Sequence, residues 1–249
     1  MRLSWLTVLV LLLGVPGALR AQTLCELPHP LDRLSTLHGS VAFVAGDGPA
    51  CDIDASLEAE GPGASGAFAW YSVPDRRSTF RISFRIDTSG LPTLSPIDGT
   101  EILAVTSRHG VPGFAGNALL RVGLVGVGEP GLVYLTYAAR CGPAGGAVCS
   151  GGTIAAGVTG LVANGDRLAF EVSIGAGADG WARFWQNADF TDAPTAVVDN
   201  LDNAALSGPE DIALGAFNRF SALQPDGMAL RFFQIQTFDD VVFWSGLDD

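Results

Sequence analysis

Thr79-Phe80-Arg81-Ile82-Ser83-Phe84-Arg85-Ile86-Asp87 alternates without a break: Phe80, Ile82, Phe84 and Ile86 fall on one face, and Thr79, Arg81, Ser83 and Arg85 on the other. A period of two with one apolar side is the pattern of a β-strand that packs one face on a core and shows the other to water. Arg167 to Ile174 repeats it with Leu168, Phe170, Val172 and Ile174. Asn164-Gly165 ahead of this stretch is a turn signal. Asp179-Gly180 behind it leads into Trp181 to Asn187, so 167–187 reads as a hairpin with a glycine-rich connection.

The same reading extends outward in both directions. Short apolar or alternating runs at 41–45, 53–59, 66–72, 101–107, 118–125, 131–138, 153–159, 195–198, 211–217, 228–238 and 240–245 are separated by turn residues. Many short strands with no helices between them predict an antiparallel two-sheet β-sandwich of jelly-roll type, not a doubly wound fold. Leu31, Leu34 and Leu37 are spaced by three between Pro30 and Gly39, and they predict one or two turns of helix. No linker, charge block or repeat divides the chain, so 22–249 reads as a single domain.

Composition excludes several classes. Of 249 residues, 48% are hydrophobic and 16% charged, which is enough apolar material for a core and argues against general disorder. The 32 glycines follow no collagen period. There are 14 arginines and no lysine, which removes Schiff-base chemistry and any Walker-type phosphate loop. A net charge of −12 without a basic run makes nucleic acid an unsuitable partner.

The first 21 residues read as a secretory signal. Arg2 supplies the positive start, Trp5 to Val15 is mostly apolar, and Ala21 is the expected last residue before cleavage. The apolar run is too short for an ordinary transmembrane helix, so no membrane insertion is expected after cleavage; the competing role is an uncleaved anchor. The expected location is secreted or periplasmic. Four cysteines follow, Cys25, Cys51, Cys141 and Cys149, and an even count behind a signal favours disulfides over metal ligation. Three pairings exist, and sequence neighbours favour Cys25–Cys51 with Cys141–Cys149, each worth about 3 kcal/mol.

The hairpin carries a resemblance. Asn164-Gly165-Asp166-Arg167, the strand over 168–174, Asp179-Gly180 and Arg183-Phe184-Trp185-Gln186-Asn187 look like the central hairpin of concanavalin A-like sandwiches. Within them it resembles the laminin-G-like branch of bacterial secreted proteins. Ala213-Leu214-Gly215 matches that branch's following strand, and Asp226-Gly227 with Met228 to Phe238 matches its closing strand. The resemblance spans most of 40–240 and implies fold far more than function.

Sugar-cleaving enzymes share this fold class, and the retaining ones set two carboxylates about 5 Å apart along a strand. Glu101-Ile102-Leu103-Ala104-Val105 offers one acid and then apolar residues, and Glu171 stands alone between Ala169 and Ser173. Hydrolysis of plain β-glucans is therefore not expected. Polysaccharide lyases of similar fold use Gln, His, Arg and Tyr; Gln234-Ile235-Gln236 resembles their Gln-Ile-His at two positions but lacks the His. The histidines are His29, His38 and His109, none in a nucleophilic pattern, and Gly63-Ala64-Ser65-Gly66-Ala67 fails the nucleophile elbow at its last position. G-x-G-x-x-G begins at Gly61, Gly126 and Gly175, each time between strands, so a dinucleotide site is rejected.

Asp199, Asn200, Asp202 and Asn203 concentrate oxygen ligands in one loop, with Asp52 and Asp54 as a weaker pair. They are the candidates for calcium, the one cofactor considered, and their competing role is the turn-stabilising one of Asx residues. Trp181, Arg183 and Trp185 share one strand face, with Asn187 beyond them; such a ladder can stack on sugar rings while Arg bonds hydroxyls. If Phe184 points inward, as the resemblance implies, both tryptophans point outward; the competing role is core packing. The leading expectation is a secreted, non-catalytic recognition module for glycan or an extracellular protein. The alternatives are a carbohydrate-active enzyme of the same fold, hydrolase or lyase, and a structural or adhesion domain without a small ligand.

Overall fold

The computed structural model describes residues 31, 33–46, 51–58, 66–73, 78–107, 118–141, 154–175, 179–203, 209–218 and 227–238. Within them the chain forms β1 (Arg33–Leu37), β2 (Gly39–Val44), β3 (Asp52–Leu57), β4 (Gly66–Ser72), β5 (Thr79–Asp87), β6 (Gly99–Thr106) and β7 (Ala118–Gly126). Then come β8 (Val133–Arg140), β9 (Ile154–Val162), β10 (Arg167–Ser173), β11 (Gly180–Gln186), β12 (Ala196–Leu201), β13 (Asp211–Phe217) and β14 (Met228–Phe238). The described residues contain no helix.

The strands make two seven-stranded antiparallel sheets, a jelly-roll β-sandwich. Sheet A runs β1-β4-β13-β6-β7-β8-β9, and sheet B runs β12-β11-β10-β5-β14-β3-β2. The alternation in β5 works as its sequence dictates: Phe80, Ile82, Phe84 and Ile86 are buried in the core, and the intervening arginines stand on the outer face of sheet B. The 167–187 hairpin is the β10–β11 pair, with Phe170 opposite Phe184. Both rings point inward, and Phe84 lies 5.7 Å from Phe170 and 5.5 Å from Phe232 between centroids. Tyr137 of β8 reaches across from sheet A to lie 4.7 Å from Phe184, so aromatic packing joins the two layers.

Asn164-Gly165 is a turn, but it carries the chain from β9 in sheet A to β10 in sheet B. Gly165 takes φ 84° and donates its N–H to the Ile86 carbonyl at 2.8 Å. The glycine run from Gly126 is the β7–β8 connection, with Gly128 and Gly131 at positive φ.

The expected helix over Leu31–Leu37 is instead edge strand β1, paired with β4 from Arg33↔Trp70 to Leu37↔Gly66. Leu34 and Leu37 are 44% and 52% exposed, so the spacing by three buries no common stripe. A short stretch of Ser, Thr and Leu has little helical nucleation to set against a ready-made strand partner. The run expected at 240–245 lies outside the described residues.

Candidate active site on the outer face of sheet A

Leu120, Val122 and Leu124 of β7 fill the core, which puts Arg121 on the outer face of sheet A. Arg121 lies opposite Ala104 of β6 in register. Irregular pairing flanks this point, between Glu101 and Leu103 on β6 and between Leu214 and Phe217 on β13. A bulge re-aims the residues around it, and here Glu101 comes to lie opposite both Gly123 and Phe217. Its Oε1 accepts a hydrogen bond from Arg121 at 3.0 Å, and its Oε2 accepts one from Asn218 Nδ2 at 2.8 Å. Asn218 follows the last residue of β13 at φ 51°, a left-handed conformation that Asn tolerates better than most residues.

Glu101 is only 7% exposed. Beside it on the same face lies a second apolar cluster of Phe68, Ala104, Ala213 and Phe217, with Trp70 packed against it. Burial is the largest influence on the Glu101 carboxyl and raises its pKa above the ordinary carboxylate value; the Asn218 and Arg121 bonds oppose it. Tyr134 stands on this face too, because its neighbours Val133 and Leu135 fill the core. The arrangement joins a buried acid of raised pKa to two donors, a guanidinium and an amide, which suit a carboxylate ligand. Sequence reading found Glu101 as a lone acid and missed its partners. They lie 20 and 117 residues away, and only the bulged register of β6 brings them together.

The outer face of sheet B treats its candidate ligand residues differently. Phe184 does point inward, and Trp181, Arg183 and Trp185 lie on the outer side of β11. Trp185, however, is 3% exposed: Phe190 packs against its ring at 5.1 Å, and its indole Nε1 donates to the Asp192 carbonyl at 2.9 Å. The segment after β11 folds back over it, so its ring is not open to a sugar. Asn187 serves the turn, at φ 55°, accepting from the Arg167 N–H at 3.0 Å and donating to Asp166 at 2.8 Å. Trp181 and Arg183 are half-buried, with the guanidinium 4.0 Å over the indole. Glu171, buried, is bonded to Arg81 Nε at 2.6 Å.

Of the calcium candidates, Asn203 uses its side chain on the fold. Its Oδ1 accepts from Gly175 N–H at 2.9 Å, and its Nδ2 donates to the Ser173 carbonyl at 3.1 Å. Asn200 takes φ 63° in β12, and Asp199 is exposed. Among the described residues no three of His, Cys, Asp and Glu gather as a metal site. Asp54, of the weaker pair, is bound by Arg231 at 2.6 and 3.0 Å. Gln234 lies on sheet B at φ 52°, away from Glu101, and accepts from Arg85 Nε at 3.0 Å. His38 is exposed at φ 55° between β1 and β2, while His29 and His109 lie outside the described residues. Cys51 and Cys141 are buried, and neither is a free thiol; Cys25 and Cys149 lie outside the described residues.

No family model matches the chain, and no curated protein matches it in sequence. Solved structures do. The two sheets place the chain in a class of fold, the jelly-roll sandwich in the form seen in polysaccharide lyases. An endo-β-1,4-glucuronan lyase from the fungus Trichoderma reesei superposes with TM-score 0.59 at 13% identity, over 83% of this chain and 90% of that one. An alginate lyase from Klebsiella pneumoniae gives TM-score 0.54 at 7% identity, over 80% and 85%. Alginate lyase vAL-1 from a Chlorella virus gives 0.54 at 11%, over 82% and 90%. These neighbours overturn the leading expectation of a non-catalytic recognition module. They give no support to an extracellular protein as partner. At such identities the likeness itself is one of fold.

Proposed function

We propose that this chain is a polysaccharide lyase that cleaves a uronate-containing glycan by β-elimination on the outer face of sheet A. The observation that carries the reading is the Glu101–Arg121–Asn218 cluster, an acid with raised pKa between two donors on a sheet face. The lyase neighbours in fold support it.

The chemistry asks for two things. The proton on the carbon next to a uronate carboxylate is acidic enough to remove only when that carboxylate's charge is neutralised. A base must then stand within reach of it. Arg121 and Asn218 are the donors for the substrate carboxylate, and Glu101 is the base. When Arg121 turns from Glu101 to the substrate, Glu101 loses a bond that had favoured its ionised form and becomes more basic. Glu101 takes the C5 proton, the C4–O bond breaks, C4=C5 forms, and the departing oxygen takes a proton from solvent. A secretory signal over 1–21 and the pairings Cys25–Cys51 and Cys141–Cys149 belong to the same proposal, since polysaccharides of this kind lie outside the cytoplasm and export favours disulfides.

The test is the full chain acting on polyglucuronate and polymannuronate, with product followed by the ultraviolet absorbance of the unsaturated uronate. Glu101→Gln is expected to lower kcat by about 10²–10⁴-fold, the range of a lost general base. Arg121→Ala is expected to raise KM and lower kcat together. Undiminished elimination by Glu101→Gln would refute the assignment.

A further inference from the structure

We propose that the outer face of sheet B carries a second, non-catalytic subsite for an anionic saccharide, built on Arg183 and Trp181. Glu171 of β10 lies between two arginines in register, Arg81 on β5 and Arg183 on β11. It is buried and closes on Arg81 Nε at 2.6 Å, and Arg81 also rests 5.3 Å over the Phe190 ring. Arg183 is thereby left without a carboxylate. Its guanidinium stacks 4.0 Å over Trp181 and makes no hydrogen bond or ion pair among the described residues.

That lack is not a shortage of acids. The chain has 26 acidic residues against 14 arginines, and Arg167 and Arg231 on the same face each have an aspartate. The stacked guanidinium keeps its planar donor fork, which fits a carboxylate or sulfate in bidentate fashion. Beside it, Val197 of β12 lies opposite Arg183 and is 44% exposed, so an apolar strip adjoins the donors. A charged fork next to an indole and an aliphatic side chain suits a sugar ring with an acid group better than a bare ion, because the ring's C–H face has something to cover.

One exposed site of this size binds weakly. It gains effect through the length of the polymer: a chain held at one face is presented again to the other at raised effective concentration. The choice of a polyuronate as occupant rests on the proposed lyase reading, whereas the anionic-sugar chemistry does not.

The test separates the two faces. Full-length protein carrying Arg121→Ala, which disables the sheet A donor, is titrated with a polyglucuronate hexasaccharide. It is expected to keep measurable binding that weakens with added salt. Adding Arg183→Gln is expected to weaken that binding at least fivefold. Val197→Glu, a surface change that sets a carboxylate opposite Arg183, is expected to do the same and covers the case in which Arg183→Gln fails to fold. Absence of binding once Arg121 is replaced would overturn the proposal. So would binding indifferent to Val197→Glu, or equal binding of a neutral gluco-hexasaccharide. Tighter binding of a sulfated hexasaccharide would overturn the uronate assignment. If elimination is never detected but binding still depends on Arg183, the catalytic reading fails and this one stands.

Discussion

Glu101 is the acid of the cluster it forms with Arg121 and Asn218 on sheet A. Burial raises its pKa, so the folded state holds its proton more tightly than the unfolded chain. The stability it contributes is full below the ordinary Glu value of 4.5 and is lost as pH rises through the higher folded value. Relative to Glu101→Gln, the wild type is therefore expected to lose stability between about pH 4 and about pH 7, read from denaturant midpoints at both ends. A gap that stays constant or runs the other way would contradict the burial argument. Trp185 makes an opposite kind of case. It sits on an outer face yet is enclosed by Phe190 and Asp192. Trp185→Ala is expected to cost about 3 kcal/mol or more in chemical denaturation, as for a core aromatic. A loss of less than about 1 kcal/mol would mean that the ring is open to solvent.

At the scale of elements, the strands were legible because their signal is local. The alternation in β5 and β10 fixes both strand and buried face, and the two turned out antiparallel neighbours. β1 was not legible: its pairing with β4 is a tertiary fact, and three leucines mimicked a helical spacing. The site lay in between. Glu101 could be seen in the sequence, but Arg121 and Asn218 reach it through the irregular registers of β6 with its neighbours, which no local pattern announces. Two substitutions probe element packing. Asn203→Ala removes the bonds that tie the end of β10 and Gly175 to the residues after β12, with an expected loss of about 1–3 kcal/mol. Gly215→Ala would drive a Cβ into the Ala67 carbonyl and Phe68, splaying β13 from β4 at the floor of the apolar cluster. It is expected to lower the thermal midpoint and to reduce activity with it, since Asn218 follows the same strand. Wild-type melting by either variant would show that the sheet relaxes more readily than this packing allows.

At the scale of the molecule, one aromatic-rich core holds two sheets whose outer faces differ in character. Sheet A carries the acid–arginine–amide cluster beside an apolar patch, and sheet B carries a lattice of arginines, most of them paired with acids or with Gln234. The sandwich was foreseeable from its many short strands, whereas the approach of Arg121 and Asn218 to Glu101 was not, because those residues are distant in sequence. The chemical identity of the product from polyglucuronate decides whether sheet A carries a lyase site. New chain ends bearing a C4=C5 double bond are expected, seen as ultraviolet absorbance and as an olefinic proton by NMR, and abolished by Glu101→Gln. Saturated reducing ends with water added across the glycosidic bond, or an intact polymer after prolonged incubation with folded protein, would contradict a lyase site there.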